Sequence, residues 1–335
     1  MPSTKIFILA SERSGTNLLR ILINNHHLVS APVAPHFFDV FYSLIKYYAP
    51  LTNEHNGQQL LQDALALANH PYHDWALPEE TLASESVDSL PACIDRLYRA
   101  KAEVEGKSGY CSKGIHNFNY AHYIKEAIPE AKFVYLVRDP RDHVASWLRT
   151  PLYLHTPYQV ISKWNAEQDQ CLNLEEIYRQ DFIRIRYEDL IADTVDTMSK
   201  VQRFLGLPID ENCFSTSGDN KEAERNELWR NLSKPIISDN KKKYLQTLQT
   251  DQLRIIESVA KENMIELGYT DFETPADWQI KNNFMFKVEE LLRTMYSQKV
   301  KVAKNSQALK GIQSKNALLQ SIRKRLKELY HDSSH

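Results

Sequence analysis

The chain contains only nine glycines, so one that stands between an apolar run and a helical pattern is informative. Gly15 does so in LASERSGTNLL, residues 9–19. A glycine there lets the backbone turn tightly and approach a ligand closely. The amides of Ser14, Gly15, Thr16 and Asn17 would point from a helix N-terminus toward an anion, favoured by the helix dipole. Arg13 would add a forked guanidinium contact, and Ser14 and Thr16 would add hydroxyl donors. This is chemistry for holding a phosphate-like group. The lysine of an ATP- or GTP-binding loop is missing, because Asn17 follows Thr16 where a Lys-Ser/Thr pair would hold phosphate and magnesium. A metal-dependent nucleoside triphosphatase is therefore disfavoured. An ordinary strand-to-helix turn capped by a Ser or Thr is the plainer alternative.

A second stretch, FVYLVRDPRDHVASWLR (residues 133–149), runs from an apolar strand pattern into a helix start. Asp139 suits the N-cap, Pro140 the first helical position, and Asp142 completes a start like a capping box. Arg138 would leave the strand end while Ser146 lies about two turns into the helix. Both would converge on one further phosphate.

Two phosphates held this way resemble the donor site of sulfotransferases that use 3'-phosphoadenosine 5'-phosphosulfate (PAPS). SERSGTNLLRILINNH resembles that family's 5'-phosphosulfate loop, and RDPRDHVAS its 3'-phosphate motif, with the spacing from Arg138 to Ser146 matching. IRYEDLIADTVDTMSKVQRFLGL (185–207), LWRNL (228–232) and ELGY (266–269) resemble later parts of the family in the same order. The resemblance implies sulfuryl transfer from PAPS to an acceptor hydroxyl or amine, with no metal required. It implies that Arg13, Ser14, Gly15, Thr16 and Asn17 hold the phosphosulfate, Arg138 and Ser146 hold the 3'-phosphate, and Tyr187 lies against adenine. Lys113, in CSKGIHN, takes the place of the family's central lysine, and Arg225 and Trp229 would belong to a lid. Arg13 and Lys113 would neutralise charge on the departing phosphate oxygen, where one such donor is worth about 3 to 4 kcal/mol.

An acceptor hydroxyl also needs a general base. Many relatives supply a glutamate in a segment that corresponds here to SAPVAPHFF (30–38), where Ala34 takes its place. Two histidines, His36 and His116, would titrate in a suitable range. His36 is preferred narrowly, because it stays within the base-bearing segment of the resembling branch. The absence of the cytosolic relatives' terminal Arg-Lys-Gly segment points toward the bacterial and carbohydrate-directed branches. The competing readings are a P-loop small-molecule kinase and a relative that binds PAP or PAPS without catalysis.

These residues need a scaffold, and the strand patterns supply it at residues 5–10, 109–115, 132–137 and 182–187, separated by helical patterns. That alternation implies an α/β, three-layer fold around a mostly parallel sheet, of the P-loop kind, followed by C-terminal helices. The expected units are a sulfotransferase domain over 1–272 and a basic helical extension over 273–335. From Lys281 onward there are twelve Lys and Arg against four Asp and Glu, within a chain of net charge -2. The extension carries Val288, Leu292 and Met295, then Leu318, Ile322, Leu326 and Leu329 at near-helical spacing, with Gly311 between two helices. Packing on the domain or on a second copy of the chain is the plain expectation, and peripheral membrane contact the sharper one. No run of about 18 apolar residues suggests a span, and four scattered cysteines suit a reducing, cytoplasmic setting. The acceptor would be a glycan, lipid or small molecule, with no nucleic acid involved. The aromatics between His36 and Arg99, among them Phe37, Phe38, Tyr42, Tyr47, Tyr48 and Trp75, would line its pocket or the core. HPYH (70–73) reads as a turn.

Overall fold

A computed structural model describes residues 4–82, 85–149, 156–216, 235–275, 278 and 307–332. Five strands form one sheet: β1 (Lys5–Leu9), β2 (Val29–Ser30), β3 (Gly109–Ser112), β4 (Lys132–Val137) and β5 (Phe182–Arg186). The order is β2-β3-β1-β4-β5, and every pair is parallel. The four expected strands are present within a few residues. The edge strand β2, only two residues long, was not foreseen, since so short a run has no pattern to read.

Alternation along the strands builds two cores. Phe7, Leu9, Phe133, Tyr135 and Val137 face one side, and Ile6, Ile8, Val134 and Leu136 the other. The second face is covered by α1 (Thr16–Asn24), α8 (Tyr187–Ala192) and α9 (Thr194–Leu205), through Leu19, Leu22, Leu190, Met198 and Val201. The first and larger face lies under α2 (Phe37–Phe41), α3 (Glu54–Asn69), α4 (Leu90–Val104), α5 (Ala121–Ala127), α6 (Pro140–Leu148) and α7 (Pro157–Ile177). Short α10 (Tyr244–Thr247) leads into α11 (Thr250–Glu266), which packs on α6 and α7.

The chain ends in α12 (Gln307–Asp332), which joins the same core. Leu319, Ile322 and Leu326 are buried there, and Arg325 pairs with Asp63, which also accepts the Tyr48 hydroxyl at 2.6 Å. Gly311 lies inside this helix and not between two: a Cβ at that position would meet the Tyr72 ring at 2.8 Å. Tyr72 belongs to HPYH, so that turn is a docking point for α12. Its first histidine, His70, meets Ser314 at 3.1 Å. Ile322 and Leu326 thus pack on the chain's own domain and Leu318 lies at its edge, whereas Leu329 is exposed. Val288, Leu292 and Met295 lie outside the described residues. Among the described residues no helix is long and apolar enough to cross a membrane.

Of the aromatics between His36 and Arg99, Phe37, Phe38, Tyr48 and Trp75 are core, and Tyr42 is exposed. All four cysteines are free and buried.

Candidate active site

The site grows from the carboxyl ends of four neighbouring strands, where α/β sheets bind ligands. β1 runs into the loop carrying Arg13 to Asn17, and β3 into Lys113. β4 leads to Arg138, and β5 to Tyr187. The connection from β1 runs to β2 on one side and that from β4 to β5 on the other, which opens a crevice between the ends of β1 and β4.

The first loop turns through two left-handed residues, Arg13 at φ 68° and Gly15 at φ 93°. Arg13 adopts that conformation against an ordinary cost of about 1–2 kcal/mol. Gly15 is required twice over, since an added Cβ would lie 2.4 Å from the Tyr187 ring. Helix α1 then begins at Thr16 with Gly15 as its N-cap and no side-chain cap. The capped turn offered by the sequence as an alternative is therefore not formed. The Ser14 hydroxyl is buried without a hydrogen-bond partner. Uncapped helix amides beside an orphaned hydroxyl are what an anion would satisfy.

The second loop closes on the first. Arg13 Nε lies 3.4 Å from Ser146 Oγ, and Arg138 Nη1 donates to the Arg13 carbonyl at 3.2 Å. The Arg138 guanidinium stacks over the Tyr187 ring at 4.6 Å, and its buried Nε has no partner. Burial, with Arg138 close by, lowers the pKa of Arg13, and Glu12 only partly offsets this. Two guanidiniums held this close form a strongly cationic pocket whose charge suits an anionic ligand. Tyr187 is buried and its ring is enclosed by Gly15 and Arg138; its hydroxyl accepts from Asn240 Nδ2 at 2.6 Å.

Asn240 was not foreseen, and neither was the network that fixes the start of α6. Asp139 does cap that helix, accepting the Arg141 amide at 2.9 Å. Asp142, expected to complete a capping box, instead accepts the amides of Lys242 and Tyr244 at 2.7 and 3.0 Å. Arg141 is fully buried and pairs with Asp139 at 2.8 Å, Glu257 at 3.1 Å and Asp271 at 2.8 Å. Glu188 accepts the Asp139 amide at 3.0 Å and the Tyr269 hydroxyl at 2.9 Å. The stretches YEDL and ELGY, far apart in sequence, thus meet behind the second loop. Arg225 and Trp229 lie outside the described residues.

The two histidines differ sharply. His36 is the left-handed N-cap of α2, at φ 58°, and its buried Nδ1 lacks a hydrogen bond. Burial first, then the charge of Lys113, holds its pKa well below the ordinary value. His116 is about one-third exposed, and its Nδ1 lies 3.0 Å from Asp39 Oδ1. That hydrogen bond raises its pKa, against the opposing effect of burial. Lys113 itself is buried beyond the end of β3. Ala34 is buried, so no carboxylate stands at that position.

A cavity of about 250 Å³ borders the first loop. It is lined by Glu12, His143, Trp147, Gln159, Val160, Lys163 and Glu167. Burial pushes His143 down to about 3, aided by Arg138, Lys163 and Arg13, so its ring is neutral. Burial raises Glu167. A group of potential metal ligands, His26, His27 and Asp210, lies elsewhere. Both His26 ring nitrogens are already engaged, by the Leu28 amide at 3.0 Å and the Pro208 carbonyl at 3.0 Å.

Comparison with known proteins agrees with this architecture. A curated relative, protein-tyrosine sulfotransferase A of Caenorhabditis elegans, is 24% identical over 85% of this chain and 72% of its own length. The protein-tyrosine sulfotransferase of Drosophila melanogaster is 23% identical over 82% of this chain, which spans about half, 53%, of that relative. Among solved structures, the sulfotransferase domain from the Synechococcus PCC 7002 olefin synthase shares the fold, with a TM-score of 0.52. It is 20% identical and covers 77% of this chain and 95% of that domain. The model of the sulfotransferase family matches residues 5–211. That span is more than half of the chain, takes in both loops and the strands that carry them, and shows that the chain belongs to the sulfotransferase family.

Proposed function

We propose that the chain moves a sulfuryl group from PAPS to an acceptor hydroxyl, with His116 as the general base. The observation that carries this reading is the meeting of Arg13, Ser146 and Arg138 around donors that lack partners, Ser14 Oγ and Arg138 Nε. The loop amides from Ser14 to Asn17 receive the 5'-phosphosulfate, and Arg138 with Ser146 the 3'-phosphate. Arg13 and Lys113 neutralise the departing phosphate oxygen. Tyr187, packed against Gly15 and the Arg138 guanidinium, borders both loops and is the residue proposed to lie against adenine.

His116 is favoured over His36 on environment. A base must reach the acceptor's proton and stabilise the charge it gains. His36 is held in a setting that opposes protonation, whereas His116 is partly exposed and has a carboxylate partner. The neighbouring cavity, with Trp147 and Val160 in its wall, suits a single ring. The names of the curated relatives make a phenolic hydroxyl the first class to test, ahead of sugars and lipids. Four buried thiols support a reducing compartment. A copy of the chain or a membrane is not needed to cover the buried face of α12.

Titration with PAP, the desulfated product, tests the cradle directly. Removing a charged hydrogen-bond partner costs about 1.5–3 kcal/mol, so Arg138→Ala weakens PAP binding about tenfold or more. Unchanged affinity in calorimetry removes Arg138 from the donor site. A labelled-sulfate screen over phenols, sugars and lipids, run in EDTA, separates the reading from its rivals. Sulfate transfer in EDTA excludes a magnesium-dependent kinase, and PAP binding without any transfer would make the chain a binding protein.

A further inference from the structure

The carboxylate beside His116 comes from a different element and belongs to no motif. Asp39 lies in the first turn of α2, whose Phe37, Phe38 and Phe41 are buried in the large core. Those three anchors fix the helix and leave Asp39 on its outer side, with one oxygen 3.0 Å from His116 Nδ1 and the other 4.0 Å from His36 Nδ1. The segment bearing His116 is fixed independently. The next residue, Asn117, is buried and donates to the carbonyls of Ile8 and Ser112, each at 3.2 Å. The imidazole is thereby held against the ends of β1 and β3, next to the loop that cradles the donor.

An ionised carboxylate can only accept hydrogen bonds. The proton of neutral His116 therefore sits on Nδ1, and the lone pair on Nε2. No hydrogen bond to Nε2 is formed among the described residues. We propose that Asp39 is a positioning residue for sulfuryl transfer: it fixes the ring and tautomer of His116 and stabilises the imidazolium formed during the reaction. The inference rests on His116 being the base. In that step the acceptor oxygen forms a bond to sulfur while its proton passes to Nε2. The bond from sulfur to the bridging 5'-phosphate oxygen breaks, and its electron pair leaves with PAP. Asp39 remains ionised throughout, facing a cation once the proton has moved.

The other charges facing His116 are few. Glu12 comes from the first loop and Lys163 and Glu167 from α7, with Lys163 3.9 Å from Glu12 and 3.5 Å from Glu167, so its charge opposes theirs. His36 stands across the carboxylate, and Lys113 precedes His116 by three residues. Asp39 is thus the principal anion on the ring. Because the neutral imidazole is the active form, a raised pKa places the acid limb of the rate profile above that of a free histidine. Losing Asp39 moves that limb to lower pH.

The test uses the full chain with PAP bound and histidines labelled with nitrogen-15. In the wild type, His116 is expected as the Nδ1-protonated tautomer with a pKa raised above that of an ordinary histidine. In Asp39→Asn the tautomer becomes mixed and the pKa falls, while PAP affinity is unchanged because Asp39 is no part of the donor cradle. With the best acceptor from the screen and saturating PAPS, kcat of Asp39→Asn falls at least about 10- to 100-fold, the scale seen when the partner that orients a metal-bound imidazole is removed, with acceptor KM little changed. Asp39→Glu, which keeps the charge, recovers part of the loss. An unchanged tautomer and pKa in Asp39→Asn overturns the proposal, as does a fall in rate that Asp39→Glu reproduces in full. Full turnover in His116→Ala instead removes the base assignment on which it rests.

Discussion

The donor cradle and the base side of this site are built by different means. The proposed cradle joins loop and helix amides to two arginine side chains and a glycine whose missing side chain admits the Tyr187 ring. Its polar atoms Ser14 Oγ and Arg138 Nε are left without partners. The base side is made of side chains from α2 and from the segment after β3, and there Asp39 Oδ1 and His116 Nδ1 already satisfy each other at 3.0 Å. In the proposed reading, the first half gains hydrogen-bond partners from the donor it binds. The other is preorganised to act on whatever the first half holds, so that its charge is in place before the proton moves.

The comparison breaks most sharply at His116. General-base catalysis contributes about a hundred- to ten-thousandfold, so His116→Ala loses turnover on that scale and keeps its affinity for PAP. His36→Ala, by contrast, keeps turnover within a fewfold. Equal losses for both histidines in kcat measurements would mean that the base side is a cluster acting as a unit. A loss for His36 alone would restore the preference that the sequence suggested.

Gly15 sharpens the comparison from the opposite half. An alanine there must accept φ 93° and displace the Tyr187 ring, which in turn supports Arg138. The left-handed conformation alone costs about 1–2 kcal/mol, so Gly15→Ala weakens PAP binding about tenfold or more in calorimetry. The tautomer and pKa of His116 stay as they are, because no shared contact links the two groups. If the imidazole signal of His116 shifts in this variant, the two halves are coupled and the division between them fails.

The same division governs how much could be read from the sequence. The turns that carry the proposed cradle were legible because they leave local marks: a scarce glycine after an apolar run, a proline and aspartate at a helix start, an arginine at a strand end. Asp39 left none, since its meeting with His116 depends on packing that joins residues 77 positions apart. Asn240 sits in a polar loop with no periodicity to single it out, yet it reaches Tyr187. Asp142 was misread for the opposite reason. Its local pattern suggested a capping role, and the amides that claim its carboxylate arrive about a hundred residues later. Gly311 likewise looked like a helix break, until the Tyr72 ring supplied a tertiary reason for a glycine inside a helix.

The smallest expected effect probes the link that local patterns missed. Tyr187→Phe keeps the ring on which Gly15 and Arg138 rest and removes only the hydroxyl that accepts from Asn240 at 2.6 Å. A single such bond is worth about 1 kcal/mol net, or roughly fivefold in affinity. The loss falls on PAP binding, because Asn240 also offers its carbonyl to Arg138 at 3.4 Å and is released by the change. Turnover at saturating PAPS stays within about twofold of the wild type by the same arithmetic. If PAP affinity in calorimetry is unaltered, Asn240 lies beside the cradle without supporting it. If kcat falls instead, the hydroxyl acts in the chemical step, and the boundary between the two halves runs through Tyr187 itself.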